Sequence, residues 1–440
     1  KCGSTITLGA SGDSIALASG ASQTGFGRTG TVDWQTSIKT ATFTAANGEG
    51  YFCNTTAGAF TVNLPAGSVG AIVAIKDYAG TFQTNNLTVV PNGTDKIDSI
   101  NGDATVLTEN ASLTLIFADS TRGWLNVNDS TAVEGATFIT ATGGTITTVC
   151  TNFKAHIFTG PGTFQVTGGA GPLATVDYFV VAGGGASQGD RGAGGGAGGF
   201  RLSNSVGCIP APTMSPLSNP TGLPVSVQSY PITVGGGGAI PSPTTSPGNP
   251  GSNSIFSSIT SAGGGGSQTG AGFAGGSGGG GYCANGGGAG NTPPVSPPQG
   301  NAGGDGANSN KHGAGGGGGA AAAGADGTTA GVGGAGGAGS FLADSVIGPT
   351  APSYGEGGPV SNTRYFAGGG GGSFYGDPGP GTPGPGGVGG GGDGANCSPG
   401  NGQSGTANTG GGGGGGVQKS GPGTAGGGGS GIVIIRYKFQ

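Results

Sequence analysis

Between residues 32 and 128 apolar and polar side chains alternate with the period of half-buried β-strands. Phe60, Val62 and Leu64 are separated by Thr61 and Asn63, and Leu113, Leu115 and Phe117 by Thr114 and Ile116. The same composition marks strands over 41–45, 51–54, 71–76, 87–90 and 124–127. Turn words fall between them at Asn47-Gly48, Ala66-Gly67, Asn92-Gly93, Asn101-Gly102 and Arg122-Gly123. That spacing predicts an antiparallel β-sandwich or jelly roll over residues 31–131, with enough chain for one core. A second β segment, 132–182, carries strands at 145–148, 154–159 and 163–166 and runs into the apolar stretch 176–182. It is expected to form a collar closed by residues 432–440, which have the same buried-strand composition. No helical periodicity of about ten residues or more occurs, so the chain reads as all-β.

Upstream, two copies of a short pattern stand nine residues apart, Ile6-Thr-Leu8 and Ile15-Ala-Leu17. The offset suits a strand plus a turn. A segment of this length cannot bury Ile6, Leu8, Ile15 and Leu17 by itself. Residues 1–30 are therefore expected to be an assembly or docking segment, either a small trimeric prism or an arm that docks into a neighbour, giving a homo-oligomer (a trimer or a helical filament).

Residues 183–431 change character. Most of the 113 glycines lie there, in runs such as 263–266, 315–319, 369–372 and 410–416. Free in water such runs carry the largest backbone entropy of any sequence, so they are either a linker or a fold made by packing bare backbones. The runs are interrupted by Phe200, Ile255-Phe256, Phe273, Phe341-Leu342, Tyr365-Phe366 and Phe374-Tyr375, and both ends are clamped by strand signals, which favours the fold. Collagen's strict triplet and silk's alternation both fail here. The extended three-fold helix of polyglycine II remains: without Cβ atoms such helices can lie side by side and exchange N–H···O bonds.

The net charge is −5 and only 8% of residues are charged. With no basic run, nucleic-acid binding is not expected. No apolar run long enough to cross a membrane occurs, so membrane insertion is not expected either. The cysteines at 2, 53, 150, 208, 283 and 397 stand singly, without metal-ligand spacing, and read as free thiols or, in a secreted filament, as disulfides. No metal or cofactor is expected. For catalysis the chain offers His156, which alternates with Ile157 in a strand, and His312 in a loop. Its carboxylates Asp305, Asp326, Asp377 and Asp393 are isolated among glycines, so an enzyme is not expected. Sugar recognition fits better: Tyr282, Lys311, His312, Tyr354 and Arg364 are the candidate contact residues, while Phe200, Phe366 and Phe374 are expected to plug the ends of the glycine stack.

Longer words carry a resemblance. Gly50-Tyr-Phe-Cys-Asn-Thr55, Phe138-Ile-Thr-Ala-Thr-Gly-Gly144, His156-Ile-Phe-Thr-Gly-Pro-Gly-Thr-Phe164, Asp177-Tyr-Phe-Val-Val-Ala-Gly-Gly184 and Gly431-Ile-Val-Ile-Ile-Arg-Tyr-Lys438 resemble tail-fibre proteins of marine and freshwater bacteriophages, including those of cyanobacteria. The glycine half is also similar in style to the polyglycine-II sandwich of long-tail-fibre adhesins. The resemblance implies a non-enzymatic fibre protein of the virion, or otherwise extracellular, whose loops contact a host cell-surface glycan or outer-membrane protein. The rival reading is a subunit of a self-assembling extracellular filament. The chain begins at Lys1 and its only methionine is Met214, which reads as a processed N-terminus or a late start.

Overall fold

A computed structural model describes residues 32–128, 134–135, 137–205, 214–243, 245–308, 311–376, 381–395, 400–417 and 423–440. Ile6, Leu8, Ile15 and Leu17, with Cys2, Cys208, Cys397 and Asp377, lie outside them. The described chain is almost wholly β and falls into two compact units, residues 1–135 and 136–440.

The first unit is a sandwich of two five-stranded sheets. Its strands are β1 (Asp33–Trp34), β2 (Phe43–Thr44), β3 (Glu49–Cys53), β4 (Phe60–Asn63), β5 (Ile72–Asp77), β6 (Leu87–Val90), β7 (Ala104–Val106), β8 (Ser112–Asp119), β9 (Gly123–Asn126) and β10 (Glu134–Gly135). One sheet runs β1-β3-β5-β8-β9 and the other β10-β7-β6-β4-β2. Val62, Leu64, Ile75, Leu87, Leu113, Leu115 and Trp124 fill the space between them. The alternation read from the sequence is present: β8 buries every second residue.

The pairing corrects the antiparallel expectation. The chain passes from one sheet to the other at each of its first six strands, so β1, β3 and β5 pair in parallel, as do β2, β4 and β6. Only β7 to β10 return antiparallel. A strand with one buried face shows period two whichever way its neighbour runs, so periodicity is blind to this difference. Between β5 and β6 the buried Asp77 carboxylate accepts the backbone N–H groups of Gly80, Thr81, Phe82 and Asn110, which folds that connection into a tight loop.

In the second unit, strand Ile432–Lys438 lies in a seven-stranded sheet between Phe153–Phe158 and Thr175–Val181, antiparallel to both. The expected closing pair is thus present, in the register Asp177↔Arg436 to Val181↔Ile432. Ile432 and Ile434 face a core with Phe179, Phe200, Leu342 and Phe366. Val433, Ile435 and Tyr437 face a second core with Phe164, Val176, Ile232 and Phe256. Burial on both faces explains the unbroken apolar run. The expected boundary at residue 183 is not a structural one. Phe200–Ser203 joins the seven-stranded sheet, and Ser229–Thr233, Ser254–Phe256 and Ile259–Ser261 join the five-stranded sheet opposite.

Candidate functional site

The glycine runs form an ordered array whose hydrogen bonds repeat every third residue. In the run 194–199 the N–H groups of Gly194 and Ala197 donate to Gly315 and Gly318; those of Gly195 and Gly198 to Gly413 and Gly410; those of Gly196 and Gly199 to Gly265 and Ala262. Its carbonyls are bonded in the same rhythm by Gly280 and Ser277, by Gly370, and by Gly185 and Ala182. Each turn of three residues therefore addresses three neighbours as donor and three others as acceptor. This is the hydrogen-bonding period of the extended three-fold helix, and the run has six neighbours around it. The run 315–320 repeats the rhythm, donating to 281 and 278, 325 and 322, and 370 and 367.

The spacing leaves no room for side chains. A Cβ built on Gly194 would lie 1.9 Å from the Gly370 oxygen, on Gly195 2.2 Å from that of Gly185, and on Gly317 1.9 Å from that of Gly195. Where a tract faces an apolar cluster instead, alanine replaces glycine, as at Ala197, Ala320 and Ala367. Polar side chains inside the array act as backbone substitutes: Ser373 Oγ donates to the Gly192 carbonyl at 2.8 Å, and Ser187 Oγ accepts from Gly426 N–H at 2.9 Å.

The array has two unlike ends. At one, Ala182, Gly199 and Gly431 run into the strands of the collar. At the other, the tracts turn back through loops of varied sequence. The five candidate contact residues divide between them, and so do not make one site. Tyr282 and His312 lie at the loop end, where Tyr282 packs on Ala193 and Ala314. Tyr354 and Arg364 lie at the collar end, where Tyr354 packs against the Phe179–Ile434 core. Along the run from Ala193 to Gly199 the separation is roughly 19 Å at about 3.1 Å per residue.

Tyr282 and His312 are buried, with His312 Nε2 2.9 Å from the Tyr282 hydroxyl. Burial pushes the Tyr282 hydroxyl's pKa up, against the pull of nearby Arg191. An aromatic pair enclosed in this way staples the loop end together and offers no open face to a sugar. Arg364 donates from Nε to the Tyr354 carbonyl at 2.7 Å and from Nη2 to that of Gly355 at 2.8 Å, so its guanidinium ties down the 352–355 turn. Lys311 lies in strand Lys311–Gly313, paired with Phe374–Gly376 at the loop end. Phe200 and Phe366 are buried with their rings against Phe179, in the collar core that the array abuts, and Phe374 is buried at the other end.

The remaining chemistry is also absorbed into structure. His156 is fully buried between the Gly143 carbonyl and the Tyr437 hydroxyl, and burial lowers its pKa. Asp305, Asp326 and Asp393 each accept a backbone N–H, from Gly287, Asp305 and Gly386. Cys53 and Cys283 are free thiols, and Cys150 is exposed. Among the described residues no three His, Cys, Asp or Glu side chains group as a metal site, and no helix is long and apolar enough to cross a membrane.

Of the apolar residues that face outward at the loop end, only Phe273 stands out in the sequence, as an interruption of the glycine runs. Ile240, Phe273 and Val332 sit on three separate turns there and are each more than a third exposed. An open cleft of about 290 Å³ is lined by Pro383, Pro385, Asp393, Asn401 and Gln403. Single apolar residues in glycine-rich turns carry no periodic signal. Only the folded array reveals which turns share an end.

An array of interbonded glycine helices mounted on a β collar defines a glycine-rich structural domain. Residues 158–438 match the family model of the glycine-rich domain, and the chain belongs to that family. No curated protein matches it.

Proposed function

We propose that the chain is a bacteriophage tail-fibre protein, acting outside the cell or on the virion, whose loop end attaches to the surface of a host bacterium. The observation that carries this reading is the asymmetry of the array. Its interior bonds are backbone to backbone and indifferent to side chains, whereas its loop end gathers turns of unrelated sequence with exposed Ile240, Phe273 and Val332 and a polar cleft. A rigid support with freely variable tips suits an adhesin that must change its target without changing its fold. The tail-fibre resemblance along the chain supports the same reading. The exposed apolar side chains, and a cleft lined by planar amides and a carboxylate, match a glycan or an outer-membrane protein. Binding without catalysis fits the histidines, both held against tyrosine hydroxyls inside the fold.

The test is binding of fluorescently labelled protein to a panel of marine and freshwater bacteria that includes cyanobacteria. Against a strain that binds, Phe273→Ser combined with Val332→Ser, and separately Gln403→Ala, are expected to weaken binding while the thermal midpoint stays unchanged. Arg364→Lys, at the collar end, is expected to leave binding intact. Equal binding by all variants would refute the loop-end assignment. The second reading is a subunit of an extracellular filament that assembles through residues 1–30.

A further inference from the structure

Asn-Gly pairs occur at 47, 92, 101, 285 and 401, all of them among the described residues. In such a pair the side-chain amide is open to attack by the next backbone nitrogen, because glycine has no Cβ to crowd the approach. The reaction needs two freedoms. The Asn side chain must swing its Cγ onto that nitrogen, and the nitrogen must be free to give up its proton. A side chain already bonded, or an N–H already donated, has to be released first.

Three of the pairs lack these freedoms. At Asn47, Oδ1 accepts from Ile72 N–H at 2.9 Å, and Gly48 N–H donates to the Ile72 carbonyl at 2.8 Å. Asn401 repeats the arrangement: Oδ1 accepts from Thr424 N–H and Gly402 N–H donates to the Thr424 carbonyl, both at 3.0 Å. Asn285 is held by its amide, which donates to the Tyr282 and Cys283 carbonyls at 2.7 and 3.0 Å. Asn92 and Asn101 differ. Both are exposed, and neither their side chains nor the N–H groups of Gly93 and Gly102 have a hydrogen-bond partner among the described residues. A Cβ built on Gly93 meets nothing within 4 Å, so that turn is open. Exposure does not separate the two classes, since Asn47 and Asn401 are exposed as well. The bonds do.

We infer that Asn92 and Asn101 are sites of spontaneous modification, converting to aspartate and isoaspartate in the folded protein, while Asn47, Asn285 and Asn401 are protected. The Gly93 or Gly102 nitrogen attacks the Asn Cγ. A C–N bond closes a succinimide ring, the attacking nitrogen's proton passes to the departing amide, and ammonia leaves. Water then opens the ring at either carbonyl, and the acid formed gives up its proton to solvent as a carboxylate. Each event adds one negative charge, so the net charge goes from −5 to −7 when both sites have reacted. At Asn92 the isoaspartate product also reroutes the backbone through the side-chain carbon, and the former backbone carbonyl becomes a free carboxylate. That carbonyl accepts from Asp95 N–H at 2.9 Å, and the Asp95 carboxylate accepts from Gly67 N–H at 2.7 Å, tying two connections of the sandwich together. Modification at Asn92 loosens that tie. The chemistry is independent of what the loop end binds.

The full-length protein tests this when incubated at mildly alkaline pH in water enriched in heavy oxygen, once folded and once in denaturant. Mass spectrometry of digests then follows each pair over days, and the heavy label separates conversion during incubation from conversion during digestion. In denaturant all the pairs are expected to convert at similar rates, since the dipeptide is the same. In the folded protein Asn92 and Asn101 are expected to stay within about threefold of those rates, while Asn47, Asn285 and Asn401 slow by about thirtyfold, the effect of having two hydrogen bonds to release. Asn92→Gln combined with Asn101→Gln is expected to hold its charge on ion exchange while the wild type grows more acidic. The inference is overturned if folding slows Asn92 or Asn101 as much as Asn47. It is also overturned if Asn47, Asn285 or Asn401 converts as fast as Asn92 in the folded protein, or if the double variant gains charge like the wild type. Circular dichroism through the incubation checks that the folded sample remains folded.

Discussion

Replacing Gly317 by alanine adds a single methyl group at the most confined kind of position in the array. The new Cβ would lie 1.9 Å from the Gly195 oxygen and 2.5 Å from its carbonyl carbon, where ordinary contact begins at 3.4 Å. The two tracts must separate by about 1.5 Å, more than packed backbone yields without breaking bonds. Four hydrogen bonds lie in the path: Gly317 to Gly370, Gly337 to Gly317, Gly195 to Gly413 and Gly370 to Gly195. At about 1 kcal/mol each the loss is roughly 4 kcal/mol, offset by about 0.5–1 kcal/mol because alanine restricts the unfolded chain. The expected net cost is about 3 kcal/mol, and Gly317→Val costs more. Gly236 is the control: a Cβ there meets nothing within 4 Å, so Gly236→Ala is expected to be neutral or stabilising by about 0.5 kcal/mol. Thermal unfolding should place Gly317→Ala roughly 5–10 °C below wild type. Hydrogen exchange should show lost protection at 194–199 and 315–320, with the first unit unchanged. If Gly317→Ala melts with Gly236→Ala, the array does not depend on bare backbone contact and the account of its stability fails.

Arg436 and Asp177 form a buried ion pair at 3.7 Å across the closing strands, with Ser203 and Ser205 hydroxyls on the carboxylate and the guanidinium over Phe153. Arg436→Met, which strands the carboxylate, should cost about 3–5 kcal/mol in denaturant unfolding, and adding Asp177→Asn should recover part of it. His156 has its pKa lowered from 6.5 chiefly by burial, so the unfolded chain takes up its proton first. Its contribution to stability is complete above about pH 6.5 and is lost as pH falls through the folded value; His156→Gln should flatten that acid limb of a melting-versus-pH curve. Burial pushes the Cys53 thiol up to about 12, so in the native protein it should resist alkylation and be labelled only after unfolding, as mass spectrometry of digests would show.

Much of this architecture is legible in the chain because strands with one buried face announce themselves. β4, β6 and β8 fall where the alternation of Phe60, Leu87 and Leu113 puts them, and the pairing of 432–438 with 175–181 follows from two apolar runs flanking one insert. Strand direction in the sandwich is not legible, since a half-buried parallel strand alternates as an antiparallel one does. The surroundings of the candidate contact residues are not legible for a related reason. Tyr282 and His312 are thirty positions apart with no shared period, and nothing local reveals that folding buries them against each other. The exposure of Phe273 and Val332 is not legible because it depends on where each glycine tract ends.

Strand Ile432–Lys438 occupies the middle of its sheet, yet in sequence it follows the entire array. Strands Phe153–Phe158 and Thr175–Val181 leave the ribosome first and must wait, with a gap between them, until some 250 further residues have been made. The tract 194–199 waits as well, for neighbours as late as Gly413. Contacts this distant in sequence make folding slow and all-or-none, with little to gain from partial assembly. The same topology makes unfolding slow: the tract 194–199 cannot leave without breaking bonds to six others, and the strand that locks the sheet is held on both sides. The protection this topology gives is therefore kinetic, set by the height of the unfolding barrier more than by the depth of the native well.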